Sequence, residues 1–310
     1  MTQPTLNYVT CAGAASAAAQ RPDATHRMAY WEWNGTGNPQ HPHVVLCVHG
    51  LTRQGRDFDV LAQRLSQRMR VVCPDVAGRG RSDWLADPMA YQVPQYAADM
   101  LALLQQLHVA GPIGTLDWVG TSMGGLIGMA ITGEPSVQPL LPVPVRRLVL
   151  NDVGPAIEAP ALQRIGQYVG KNMHFDSEQA AADALWKISS SFGPHTPEQW
   201  LALSRPMLAP EAAGGFRLHY DPAIVQALQA MTPDSAALGE QVLWKLYSQI
   251  AAQTLLLRGA DSDLLSRQTA QTMGEIGPRA RLVEFAGVGH APTIVAPDQV
   301  EVVAAFLEET

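Results

Sequence analysis

Gly120-Thr121-Ser122-Met123-Gly124-Gly125 separates an apolar run at 116–119 from a helix-like run at 126–131, and this junction decides the fold. A serine on a sharp strand-to-helix turn projects clear of the sheet edge, and the residues two before and two after it need to be small. Gly120 and Gly124 meet that requirement. The first amides of the following helix point at such a serine, where negative charge develops on an attacked carbonyl oxygen. Ser122 is therefore the candidate nucleophile. A glycine-rich loop with an incidental serine would lack the strand and helix flanks.

A serine hydroxyl needs a base, and the base needs a third group to hold its tautomer. Late in the chain, the short apolar run 255–257 leads into Arg258-Gly259-Ala260-Asp261-Ser262-Asp263, and the run 282–285 leads into Ala286-Gly287-Val288-Gly289-His290. His290 thus follows a strand in a loop. Serine, then aspartate, then histidine is the order of an alpha/beta-hydrolase triad.

With Val44-Val45-Leu46-Cys47-Val48-His49-Gly50 and Cys73-Pro74-Asp75-Val76-Ala77-Gly78-Arg79-Gly80-Arg81-Ser82-Asp83 added, four motifs in order span most of the chain. The sequence resembles the alpha/beta-hydrolases of the esterase, epoxide-hydrolase-like and C–C-hydrolase-like group. That resemblance implies an α/β fold with a mostly parallel central sheet, helices on both faces and an inserted helical cap. It implies no particular substrate, because this architecture supports cleavage of esters, thioesters, amides and carbon–carbon bonds. In the resembling family the acid commonly precedes a short apolar stretch. Asp263-Leu264-Leu265 fits that phrase better than Asp261, and Asp152, just past another strand, remains a further alternative.

The oxyanion hole is expected from two backbone amides, Met123 after the nucleophile and Leu51 after His49-Gly50. His49, beside a glycine turn, is expected to support that turn rather than act as base. Arg53 and Arg56 lie near it and are candidates to bind a substrate carboxylate or carbonyl; the alternative is loop anchoring, with Arg56 paired to an acid and Asp57 capping a helix from Phe58. Arg79, Arg81 and Asp83 are expected to tie down a tight loop.

Alternation of strand and helix patterns argues for a parallel sheet. Strand patterns fall at 28–33, 44–48, 71–73, 115–119 and 147–151, and helical spacing at Phe58, Leu61, Leu65, Met69 and over 96–107. About a hundred residues then intervene before the strand at 255. This stretch holds helical patterns at 161–169, 177–189 and 221–231 and is too long for an ordinary connection. The expected division is a core of 1–154 and 250–310 with a mainly helical cap over 155–249. Trp186 and Trp244 are the cap aromatics expected to line the substrate pocket.

Of 310 residues 47% are hydrophobic and 16% charged, with a formal net charge of −7. No basic tract argues for nucleic acid. Three cysteines lack metal-site spacing, and Cys47 and Cys73, inside apolar strand patterns, read as buried thiols of a reducing, cytoplasmic compartment. The alanine-rich stretch 11–20 reads as a short helix or loose arm rather than a secretory signal, and no stretch has the length of a membrane span. Dinucleotide, Walker and H-E-x-x-H motifs are missing, so the expectation is no cofactor and no metal. The activity expected is a serine carboxylesterase acting on a small to medium ester, hydroxyalkanoate oligomers being one compatible form. The alternatives are a carbon–carbon hydrolase of vinylogous diketones and a non-enzymatic ligand receptor.

Overall fold

The structure, a computed structural model, describes residues 3–13 and 25–309; most of the alanine-rich stretch, 14–20, lies outside the described residues. In chain order the elements are β1 (Thr5–Ala12), β2 (Thr25–Trp33), β3 (His43–Val48), α1 (Asp59–Leu65), β4 (Arg70–Pro74), α2 (Val93–Ala110), β5 (Thr115–Thr121), α3 (Met123–Gly133) and β6 (Val145–Asn151). An insertion follows, with α4 (Ala159–Gly166), β7 (His174–Phe175), α5 (Glu178–Ser189), α6 (Pro197–Ser204), β8 (Leu208–Pro210), β9 (Phe216–Leu218), α7 (Ile224–Gln229) and α8 (Pro233–Ser248). The chain closes with β10 (Gln253–Gly259), α9 (Arg267–Glu275), β11 (Arg281–Phe285) and α10 (Pro297–Glu308).

Eight strands form one sheet in the order β1-β2-β4-β3-β5-β6-β10-β11. The pairs β1/β2 and β2/β4 are antiparallel, and every other pair is parallel. Strands covered on both faces read as continuous apolar runs, as those here do. Val44, Leu46, Val48 and Trp118 enter one buried cluster with Met100, Leu103 and Leu104 of α2 and Ile127 of α3. Val45, Cys47 and Val119 enter the other, with Leu61 and Leu65 of α1 and Val303 and Phe306 of α10. Cys11, Cys47 and Cys73 are free and buried.

β1, a strand not expected from the sequence, pairs along its whole length with β2, Cys11 opposite His26. As an edge strand it buries only Val9 and Cys11, too weak an alternation to stand out. Within the insertion, β7, β9 and β8 make a small antiparallel sheet not foreseen in a mainly helical cap. The last inserted helix, α8, returns to the core. Any side chain on Gly133 of α3 would collide with the Leu246 carbonyl of α8, and buried Tyr247 donates through its hydroxyl to the Met273 carbonyl of α9 at 2.6 Å. Accordingly α8 packs against the core helices α3 and α9. Among the described residues, no helix is long and apolar enough to cross a membrane.

Candidate active site

β5 ends at Thr121 and α3 begins at Met123, leaving Ser122 alone at the corner with φ 50° and ψ −115°. A non-glycine residue held there costs about 1–3 kcal/mol and persists only when its surroundings over-determine it. The Ser122 N–H donates to the Asn151 carbonyl at 2.9 Å, and the Ser122 carbonyl accepts from Gly125 N–H at 2.8 Å. A Cβ on Gly120 would strike the Gly124 carbonyl, and one on Gly124 would strike the Val48 carbonyl of β3. Gly124→Ala is therefore expected to lower stability by at least the ~1–3 kcal/mol typical of overpacking, and to reduce turnover with it. Gly166→Ala, where an added Cβ meets nothing within 4 Å, serves as control. Denaturant unfolding checks the pair; a Gly124→Ala protein with unchanged midpoint and turnover would contradict the packing argument.

His290, in the loop after β11, brings its Nε2 to 3.0 Å from Ser122 Oγ. Its Nδ1 lies 2.8 Å from Oδ2 of Asp152, not of Asp263. Asp263 stands on the surface, its side chain 48% exposed, and takes a two-pronged contact from Arg164 at 2.7 and 2.9 Å. The placement of Asp263 against the histidine is thereby corrected to Asp152. The cause is strand order. β6 is hydrogen-bonded directly to β5, with Asn151 opposite Thr121, so the next residue, Asp152, emerges beside the serine.

The loop after β10 contributes donors instead of the acid. Gly259 N–H donates to Asp152 Oδ1 at 2.9 Å, and the Ser262 hydroxyl to Oδ2 at 2.7 Å. Asp152 is fully buried and adopts φ 55°, a second strained residue in the site. Asn151 ties the histidine loop down by donating to the Pro292 carbonyl at 2.7 Å.

The turn after β3 approaches the serine closely: a Cβ built on Gly50 would lie 3.7 Å from Ser122 Cβ. His49 supports this turn. Its Nε2 accepts from Val76 N–H at 2.9 Å, so Nδ1 carries the proton and donates to the Gly50 carbonyl at 2.7 Å. Burial pushes its pKa down to about 3, and the ring stays neutral with both nitrogens engaged. The buried Arg79 anchors the same turn, donating to the Leu51 carbonyl at 2.8 Å and the Ala77 carbonyl at 2.7 Å. Leu51 and Ser122 line one cavity. Met123, as first residue of α3, has an N–H with no intrahelical acceptor, and the Leu51 N–H donates to no protein group among the described residues.

Of the expected substrate contacts, only Arg53 reaches the cavity, which Ile165, Tyr168, Phe192, Leu203 and Met207 of the insertion roof with apolar surface. Its guanidinium is engaged by Asp57 at 2.6 and 2.8 Å. Asp57 accordingly caps no helix; a 3-10 turn over Gly55–Phe58 is capped by Gln54. Arg56 points away from the cavity, pairing with Asp59 at 2.6 Å and stacking on Trp31 at 4.8 Å. Trp186 packs edge-on against Trp200 at 5.0 Å, and Trp244 against Tyr247 at 6.1 Å; neither borders the cavity. Aromatic content marked the insertion as a packing unit without saying which faces point inward.

Among the described residues, Cys11, His26 and Asp99 are the one group of side chains close enough to share a metal ion. There His26 Nε2 already meets Asp99 Oδ2 at 2.9 Å, while Gln95 donates to Oδ1 at 2.7 Å, which is the arrangement of a buried hydrogen-bonded cluster.

Comparison with known proteins adds four findings. Residues 45–305 match the sequence pattern of the alpha/beta hydrolase family. The chain is 46% identical over 306 residues to the 3-hydroxybutyrate-oligomer hydrolase of Cupriavidus necator, covering 98% of this chain and 97% of the other. It is 24% identical to the 2-(acetamidomethylene)succinate hydrolase of Mesorhizobium japonicum, covering 82% and 84% of the two chains. In three dimensions, an alpha/beta hydrolase from Novosphingobium aromaticivorans superposes with a TM-score of 0.80, at 33% identity and 99% coverage of both chains.

Proposed function

Because this chain belongs to the alpha/beta-hydrolase family, we propose that it is a serine hydrolase cleaving small to medium carboxylic esters, hydroxyalkanoate oligomers among them, through an acyl-enzyme on Ser122. The observation that carries this reading is the continuous line Ser122 Oγ, His290, Asp152, with separations of 3.0 and 2.8 Å. The 46% identity to an oligomer hydrolase over nearly the whole chain supports the substrate class.

In the first half-reaction Ser122 Oγ attacks the ester carbonyl while His290 Nε2 takes its proton. Asp152 accepts from Nδ1–H, fixing the tautomer and stabilising the imidazolium that forms. The carbonyl oxygen becomes an oxyanion against the Leu51 and Met123 amides, where each donor contributes about 3–4 kcal/mol to the transition state. His290 then returns the proton to the departing alkoxide, releasing the alcohol. In the second half a water, deprotonated by the same nitrogen, attacks the acyl carbon, the bond to Ser122 Oγ breaks, and His290 returns the proton to Oγ as the acid leaves. Every proton and electron pair is accounted for by these side chains and water.

The diketone alternative draws less support, since it calls for a cation free to stabilise a dienolate beside Ser122, and the one Lys or Arg lining the catalytic cavity, Arg53, is engaged by Asp57. A substrate panel tests the reading: 3-hydroxybutyrate dimer and trimer, p-nitrophenyl esters and a vinylogous diketone. Multiple turnovers of the oligomers and aryl esters, with negligible diketone cleavage, are expected. Diketone cleavage without ester turnover would overturn the assignment, and tight binding without turnover would indicate a receptor.

A further inference from the structure

A second chamber adjoins the catalytic cavity, and Met173, Leu218 and Tyr220 border both. Arg217 of β9 and Lys171, in the turn before β7, face this outer chamber. Arg217 lies 5.6 Å from the ring centre of Trp84, and one of its nitrogens donates to the Leu218 carbonyl at 3.2 Å. Among the described residues, neither Arg217 nor Lys171 has a carboxylate partner. The one acid lining the chamber, Glu211, lies 2.5 Å from His174 Nδ1, and its carboxylate raises the pKa of that imidazole above the ordinary value. The chamber therefore presents two cations without a carboxylate partner, Lys171 and Arg217, beside a largely apolar catalytic cavity whose Arg53 is already matched by Asp57, in a chain whose net charge is −7.

We propose that the outer chamber is a carboxylate subsite, which receives the free acid terminus of an oligomeric hydroxyalkanoate while one of its ester bonds lies at Ser122. This rests on the ester-hydrolase reading and names a feature of its substrate. An oligoester chain is neutral except at its carboxyl end. A planar guanidinium steadied over an aromatic ring suits a carboxylate, accepting it in a two-pronged contact at small entropic cost. Lys171, a mobile point charge on the rim, adds attraction that salt screens. Fixing the terminus there selects which ester bond reaches the serine, and so favours short free-acid oligomers over the same chains with the terminus capped.

The test compares 3-hydroxybutyrate trimer as free acid and as methyl ester, with p-nitrophenyl butyrate as the reference ester, in wild type, Arg217→Gln and Lys171→Gln. Wild type is expected to favour the free acid by about 10-fold in kcat/KM, equivalent to ~1.4 kcal/mol. Arg217→Gln should abolish that preference through KM while leaving both uncharged esters unchanged, and Lys171→Gln should weaken it, most visibly at low salt. Equal kcat/KM for acid and methyl ester in wild type, or a preference that survives both substitutions, overturns the subsite. Calorimetric binding of the two trimers to Ser122→Ala reads the subsite without turnover. Preferential binding of the acid there, with no ester hydrolysed by wild type, would sink the ester reading and keep the subsite; equal binding would sink the subsite alone.

Discussion

Asp152→Asn is expected to lower kcat by about 10⁴-fold while the protein stays folded, the size of loss that follows when a triad histidine is offered the wrong partner. The carboxamide can still accept from Gly259 N–H, as Asp152 Oδ1 does at 2.9 Å, so the loop after β10 keeps its anchor. What changes is the group facing His290. An amide NH₂ donates where the carboxylate accepted, which favours the tautomer with the proton on Nε2 and removes the base from Ser122. The anion that stabilises the imidazolium disappears as well. Asp263→Ala, by contrast, removes a half-exposed pair with Arg164 worth about 0–1 kcal/mol, and kcat should stay within about twofold of wild type, well short of the tenfold that 1.36 kcal/mol in the barrier would produce. Steady-state kinetics with circular dichroism on both variants checks this. Collapse in Asp263→Ala alongside near-normal Asp152→Asn would reverse the assignment.

The contrast between those two aspartates shows where linear sequence stops being informative. Ser122 was legible because its neighbours are dictated locally: glycine at 120 and 124 follows from backbone collisions within a few residues. His290 was legible from its place after a strand and from chain order. The acid was not, because Asp152, Asp261 and Asp263 all fall between serine and histidine and all follow strands ending at the same edge of the sheet. Choosing among them requires knowing that β6, not β10, lies against β5. The run Asn151-Asp152-Val153-Gly154-Pro155 held a usable signal, an acid immediately after an apolar strand, once that neighbour relation is known.

Strands buried on both faces, such as β3 and β10, were legible as continuous apolar runs. The edge strand β1 and the three short strands of the insertion bury too few residues to register a period. The same holds for the pocket wall. Phe192 and Met207 face the cavity while Trp186 and Trp244 do not, a difference set by how short helices are turned against one another. For Arg53 and Arg56 the sequence left substrate binding and loop anchoring both open, and the acids three or four residues on, Asp59 and Asp57, decide for anchoring.

The account stands or falls on a covalent bond at Ser122, and rapid quench of the purified protein during turnover of a 3-hydroxybutyrate oligomer, followed by peptide mass analysis, measures it directly. Wild type is expected to carry one hydroxyacyl increment on the peptide containing Ser122. Ser122→Ala should carry none and lose about 10⁴-fold or more in kcat, since removing the nucleophile leaves only binding and the oxyanion donors to assist water. A Ser122→Ala protein that hydrolyses the oligomer at the wild-type rate, or a wild-type acyl group found on another residue, would contradict it.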